Sequence, residues 1–163
     1  ALELDDEFWP VYNNLGRLHI RAQGDPDAAL ATLQAGQRRA SDPLGATVIG
    51  SNIAWAYLEK GLPRASLSEL ERVIDDLDAL RKQGQSVEIY LARAYQLEAM
   101  THQALENASE ARRGWQDSLG YALAVAESAA CNTDQPRVPP DCLDAYRLVA
   151  EAREELARGT GGP

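Results

Sequence analysis

Few residues in this chain of 163 are of a type and spacing that could do chemistry. Two histidines, His19 and His102, lie far apart, and neither has a second ligand-type side chain at metal-binding spacing, so a packing or half-exposed role is expected for each. The 25 Asp and Glu residues include helical pairs such as Glu151 and Glu155. Such pairs become acid–base catalysts only where an enclosed cleft moves their pKa values, and nothing in the sequence predicts a cleft. Asp75, Asp76 and Asp78 lack the glycine and the spaced oxygen ligands of a calcium loop and read as a solvated face. The sequence contains no phosphate-cradling glycine loop, nucleophile elbow or His-Glu-x-x-His pattern. Asn107-Ala108-Ser109 matches a glycosylation sequon but falls where a helix is expected, with Ala108 on its packing stripe, and is discounted. The reading is therefore of a protein that is not an enzyme, with no catalytic residue, no cofactor and no metal ligand.

Cys131 and Cys142 stand eleven apart, which is not the C-x-x-C spacing of thioredoxin-like or common zinc sites. The pair is compatible with a disulfide across the proline-rich stretch between them, whose closure would contribute about 3 kcal/mol by chain entropy. It is also compatible with two unbonded thiols, Cys142 beginning a helix and Cys131 a small buried residue. A bond would favour a periplasmic or extracellular location over a cytoplasmic one.

Net charge is −9 with no dense Lys/Arg cluster, which argues against nucleic acid as a partner, since affinity there rests on neutralising phosphates. No apolar run approaches the 18 residues or more of a membrane-spanning helix. Many alanines, a single phenylalanine and the near absence of β-branched runs favour helices packed through small side chains. Ala1-Leu2-Glu3-Leu4, without an initiating Met, reads as the tail of an earlier helix, and a fragment of something longer is expected.

The elements follow from the apolar spacing and the Gly/Pro punctuation. A first helix is expected from about Trp9 to Gln23, stopped by Gly24-Asp25-Pro26. A second carries Ala29, Leu33 and Gly36 on one stripe and ends at Ser41-Asp42-Pro43. A third covers roughly Leu44 to Lys60, and a fourth runs from Pro63 to about Gln83. A fifth covers Ser86 to Glu98, with a turn at Ala99-Met100-Thr101 and a sixth reaching Arg113 under a Gly114 cap. Ser118 to Ala130 forms a seventh and Cys142 to Arg158 an eighth, leaving residues 159–163 as a disordered tail.

The pattern repeats. Leu15-Gly16 and His19, one residue extra before the turn, then Ala29, Leu33 and Gly36 make a first unit. Ile53-Ala54, Tyr57, Ser66, Leu70 and Val73 make a second, and Leu91-Ala92, Tyr95, Ala104, Ala108 and Ala111 a third. Leu119-Gly120, Leu123, Ala145, Val149 and Ala152 make an interrupted fourth. These residues resemble the tetratricopeptide repeat family, whose Leu-Gly, aromatic and alanine positions recur at 34 residues. The turn positions Gly24, Gly61 and Ala99 are spaced by 37 and 38, longer than the family period. The resemblance covers about residues 9–157 and implies an all-α fold, a right-handed superhelical stack of antiparallel helix pairs. Residues 1–158 would form a single domain of about four such pairs.

In that family the first helix of each unit lines a concave groove. Carried over by position, the groove residues would be Asn13, Arg17, Ile20 and Arg21, then Ser51, Trp55, Leu58 and Glu59. They would continue with Ile89, Arg93, Gln96 and Leu97, then Asp117, Tyr121 and Ala124. The resemblance implies a scaffold that binds a peptide or partner protein, with arginines meeting acidic groups and Trp55 as a desolvated anchor. Ser51, Ile89 and Glu59 occupy positions where the basic clamp of chaperone-tail-binding members would need other groups, so that ligand is not expected. The alternative is a sensory or regulatory domain of a larger signalling or transcription-regulatory protein. Open stacks also expose their end helices, which makes a homo-oligomer through the first helix a further expectation.

Overall fold

The computed structural model describes residues 9–128, 130–131 and 138–158. The expected tail at 159–163 and the acidic segment before Trp9 lie outside the described residues. Seven α-helices and one π-helical turn account for the described elements, and none of them is a strand. The helices are α1 (Trp9–Leu18), α2 (Pro26–Arg39), α3 (Pro43–Glu59), α4 (Pro63–Lys82), α5 (Glu88–Ala104), α6 (Ala108–Ala126) and α7 (Pro140–Arg158), with the π turn at His19–Gln23.

Local chemistry sets the boundaries. Proline opens α2, α3, α4 and α7, where its missing N–H costs nothing. Asp25 caps α2 by accepting the Ala28 N–H at 2.9 Å, and Asp42 caps α3 by accepting those of Leu44 and Gly45 at 3.3 and 2.9 Å. Gly24 and Gly61 end their helices with φ of 61° and 76°, a left-handed backbone that glycine adopts without steric cost. The residue that is extra in the first unit is taken up by the π turn, because i→i+5 bonding accommodates one more residue per turn.

Beyond α4 the structure departs from the expected boundaries. Helix α5 runs straight through Ala99-Met100-Thr101, and α6 runs straight through Gly114. The expected sixth and seventh helices are therefore one. The real turn is Leu105-Glu106-Asn107, where Glu106 takes φ of 59° with no glycine to announce it. Gly114 is a close-packing position and not a cap, since a Cβ there would meet Ala99 Cβ and backbone N at 3.0 Å. Accordingly Leu119, Gly120 and Leu123 lie in the second half of α6 and not on a first helix of their own, while Ala104 ends α5 and Ala108 begins α6.

The chain divides into two compact units, Ala1–Leu80 and Arg81–Pro163. In the first, a Cβ on Gly16 would meet Leu33 and one on Gly36 would meet Tyr12, so α1 and α2 lie antiparallel. Gly45 faces Trp9, Asn52 bonds Asn13, and Arg21 lies over Trp55, so α3 runs parallel to α1. The contact of Gly50 with Val73 places α4 against α3. In the second unit, Ser118 Oγ donates to the Ala92 carbonyl and Gly114 abuts Ala99, making α5 and α6 antiparallel. Arg93, Gln96 and Gln103 meet Asp144, Glu151 and Glu155 in order, making α7 parallel to α5. Both units thus contain a helix hairpin followed by a third helix alongside the first, a repeat-like arrangement within an all-α chain.

Each unit buries its own apolar set. Ile20, Ala29, Leu30, Leu33, Ile49, Ile53 and Ala56 close the first. Ile89, Ala92, Ala122, Ala126, Ala145, Leu148 and Val149 close the second, with Trp115 between Ala99 and Ala152. Small residues let the helices approach: a Cβ on Gly36 would lie 2.4 Å from Tyr12 Cβ. That atom is fixed to the α1 backbone and cannot swing aside. Gly36→Ala is therefore expected to destabilise the protein by about 1–3 kcal/mol, overriding the roughly 1 kcal/mol that alanine gains in helix propensity. A urea melt of the variant checks the sign.

Cys131 and Cys142 are disulfide-bonded, with Cα atoms 5.5 Å apart. The bond ties the segment following α6 to the first turn of α7, and the residues between 131 and 138 lie outside the described set.

Candidate functional site

The residues that the resemblance assigns to a groove divide between the two units and behave differently in each. In the first unit the π turn carries Arg21, whose guanidinium stands 5.3 Å from the centroid of the Trp55 ring on α3. Trp55 Nε1 donates to Glu59 Oε1 at 2.9 Å, one helical turn further along α3. The indole is half-buried, while Arg21 and Glu59 are exposed. These three side chains form one amphipathic cluster, with an aromatic face held between a cation and a carboxylate and an edge open to solvent.

Asn13 is placed elsewhere. It is 7% exposed and accepts a hydrogen bond from Asn52 Nδ2 at 2.7 Å, a polar lock between α1 and α3. Ile20 is likewise buried, as part of the core of this unit. Arg17 is half-buried. Leu15, read with Gly16 as a stacking position, is 42% exposed. His19 is half-buried, with Nδ1 2.6 Å from Gln23 Oε1, a bond internal to the π turn.

In the second unit the assigned residues are engaged by a neighbouring helix. Arg93 pairs with Asp144 and lies 5.9 Å from the Tyr90 ring, and Gln96 donates to Glu151. These side chains belong to a polar seam between α5 and α7, continued by Gln103 on Glu155 at 3.1 Å. Ile89 is buried in the core. Tyr121 sits on α6 and not on a first helix. Its ring stacks on Tyr95 with centroids 5.6 Å apart and planes 4° from parallel, and Arg81 stands 5.8 Å away over it. Sequence reasoning missed the partners Asn52, Tyr95, Asp144 and Glu151, which only the helix packing identifies.

The second unit also contains a cavity of about 500 Å³ lined by Gln103, Ala108, Arg112, Trp115, Glu155 and Leu156 among others. Trp115 is 5% exposed, and its Nε1–H has no hydrogen-bond partner among the described residues. Among the described residues, no group of three His, Cys, Asp or Glu side chains could hold a metal ion, and no helix is long and apolar enough to cross a membrane. No family model matches this chain, nor does any curated protein or any solved structure.

Proposed function

We propose that this protein is a non-catalytic interaction scaffold of the tetratricopeptide kind, a right-handed stack of helix pairs whose first-helix surface holds a peptide or partner segment. The observation that carries the reading is the Arg21–Trp55–Glu59 cluster, presented side by side by the π turn and α3. A half-buried indole offers a large apolar contact at low entropic cost, and a cation over its face meets an acidic side chain or a terminal carboxylate of the bound segment. Arg93 and Gln96 support the surface by fixing α7 against α5, and ligand contact falls to the first unit. The disulfide supports a periplasmic or extracellular setting, where such bonds persist.

The test is selection from a displayed random-peptide library followed by calorimetry on the enriched sequences. Trp55→Ala and Arg21→Ala are each expected to weaken binding about tenfold or more, since truncated aromatic and arginine anchors cost about 1.4 kcal/mol and upward. Helical content should stay close to that of the parent; Arg21→Ala should leave the melting temperature unchanged, whereas Trp55→Ala, whose indole also packs on the core of the first unit, should lower it. Failure to enrich any peptide, or unchanged affinity with both residues replaced, overturns the assignment.

A further inference from the structure

One polar group in the core of the second unit is left unsatisfied. The Trp115 ring is buried, and the side chains packed on it, Ala99, Leu119, Ala152 and Leu156, carry no acceptor for its Nε1–H. A buried indole N–H ordinarily finds a hydrogen-bond partner, because one left unmet loses its hydration without compensation. The same ring borders the cavity of about 500 Å³, so the cavity is the side from which an acceptor reaches it. That volume falls within the range of about 300–1,000 Å³ typical of small-molecule clefts.

The cavity lies where the last turns of α5 and α7 meet the first half of α6. On α6, Ala108, Ala111, Arg112 and Trp115 fall at i, i+3, i+4 and i+7, so one helix face supplies small residues, a cation and the indole. Ala111 and Trp115 are buried and Leu156 is half-buried, which makes the inner wall apolar, while Arg112 is exposed at the mouth. The other charges that line it are committed. Glu155 accepts from Gln103 and pairs with Arg158, which also holds Glu154. Arg112 has no hydrogen bond or ion pair among the described residues. In a chain of net charge −9, the uncommitted charge at this mouth is positive.

We propose that this cavity binds a small organic carboxylic acid. One carboxylate oxygen accepts the Trp115 Nε1–H, the charge is met by the Arg112 guanidinium, and the apolar body lies against Ala108, Ala111 and Leu156. The two donors stand three residues apart on one helix face, which brings both within reach of a single carboxylate. This inference is independent of the Arg21–Trp55–Glu59 cluster, because it concerns the other unit and a different set of side chains.

Protein labelled with nitrogen-15 at its indoles tests it, since the 3 tryptophans give separate Nε1–H resonances that through-bond experiments assign without any variant. Titration with phenylacetate, hexanoate and octanoate is expected to move the Trp115 resonance saturably. Phenylacetamide and hexanamide, matched in shape and uncharged, should bind about tenfold more weakly. The Trp55 resonance reports on the first unit in the same spectrum, so binding at the two places is told apart. Arg112→Gln should weaken the carboxylates about tenfold, the scale of one charge-assisted hydrogen bond. Arg112→Lys, which keeps the charge, should retain most of the affinity. Arg113→Gln, at an exposed neighbour outside the cavity lining, should change nothing. Both arginines are exposed, so all three variants should fold. A Trp115 resonance that none of the three carboxylates moves overturns the proposal. So does binding that the amides match, and so does binding that Arg112→Gln leaves unchanged.

Discussion

Leu33→Ala is expected to lower the stability of the first unit by about 3 kcal/mol, and Gly16→Ala in the same chain should recover part of that loss. Leu33 is 0% exposed and lies in the core cluster with Ile49 and Ile53. Its truncation removes buried methyl groups and leaves a cavity that rigid helices close only in part, the situation in which Leu→Ala costs about 2–5 kcal/mol. A Cβ built on Gly16 would lie 2.4 Å from Leu33 Cγ. Gly16→Ala alone therefore overpacks the α1–α2 contact, at a cost of about 1–3 kcal/mol. In the double variant the new methyl enters the space that Leu33 has left, and the two changes should total about 1–2 kcal/mol less than their sum. Chemical denaturation of the four proteins measures this coupling. Strict additivity would mean that the two side chains do not share that space.

The first four helices were legible because each boundary carries its own chemistry. Prolines open α2, α3 and α4, Asp25 and Asp42 cap two of these, and Gly24 and Gly61 supply the left-handed stops. The boundary between α5 and α6 was not legible, for the converse reason. Glu106 takes a left-handed backbone that side chains other than glycine rarely adopt, and Gly114, which looks like a stop, is a place where two helices nearly touch. Position counting inherits that slip. The structure puts Arg21 on the π turn after α1 and Trp55 on α3, close to each other, whereas Tyr121, counted onto a helix of its own unit, belongs to α6. Counting also cannot tell a side chain that faces solvent from one that faces the next helix, which is why Asn13 and Arg93 were assigned to a groove.

The engagement of Arg93, Gln96 and Gln103 has its own logic. The faces of α5 and α7 meet through alanines such as Ala92 and Ala145, which interlock weakly and leave the axial register of two parallel helices poorly defined. Three donors on α5 facing three carboxylates on α7 define it, because a slip by one turn unpairs half-buried polar groups. The energy of each exposed or half-exposed pair is small. Their contribution is to where α7 sits, and through it to the outer face on which Leu143, Tyr146 and Ala150 are displayed.

The disulfide works on the same helix from its other end. Opening it, by reduction or by Cys131→Ala with Cys142→Ala, is expected to destabilise the second unit by about 3 kcal/mol, because the bond closes a short loop whose freedom returns to the unfolded chain. In a domain of this size that corresponds to a fall in melting temperature of about 10 °C. Cys142 is 2% exposed and lies on the buried stripe with Ala145 and Leu148, so the sulfur also fills space, and alanine there adds a small cavity cost. Reduction separates the two contributions, since it leaves both sulfurs in place. The unbonded helix is then held by its apolar stripe and by the polar seam to α5, and its first turn is where opening should begin. Hydrogen exchange should accordingly show lost protection over the start of α7 before the rest of the second unit responds. The control is the double-alanine variant, whose melting should be indifferent to reductant. If fully reduced parent protein, with two titratable thiols, melts at the same temperature as the oxidised form, the bond does not restrain the unfolded chain as argued, and the hold on α7 lies in the packing and the seam alone.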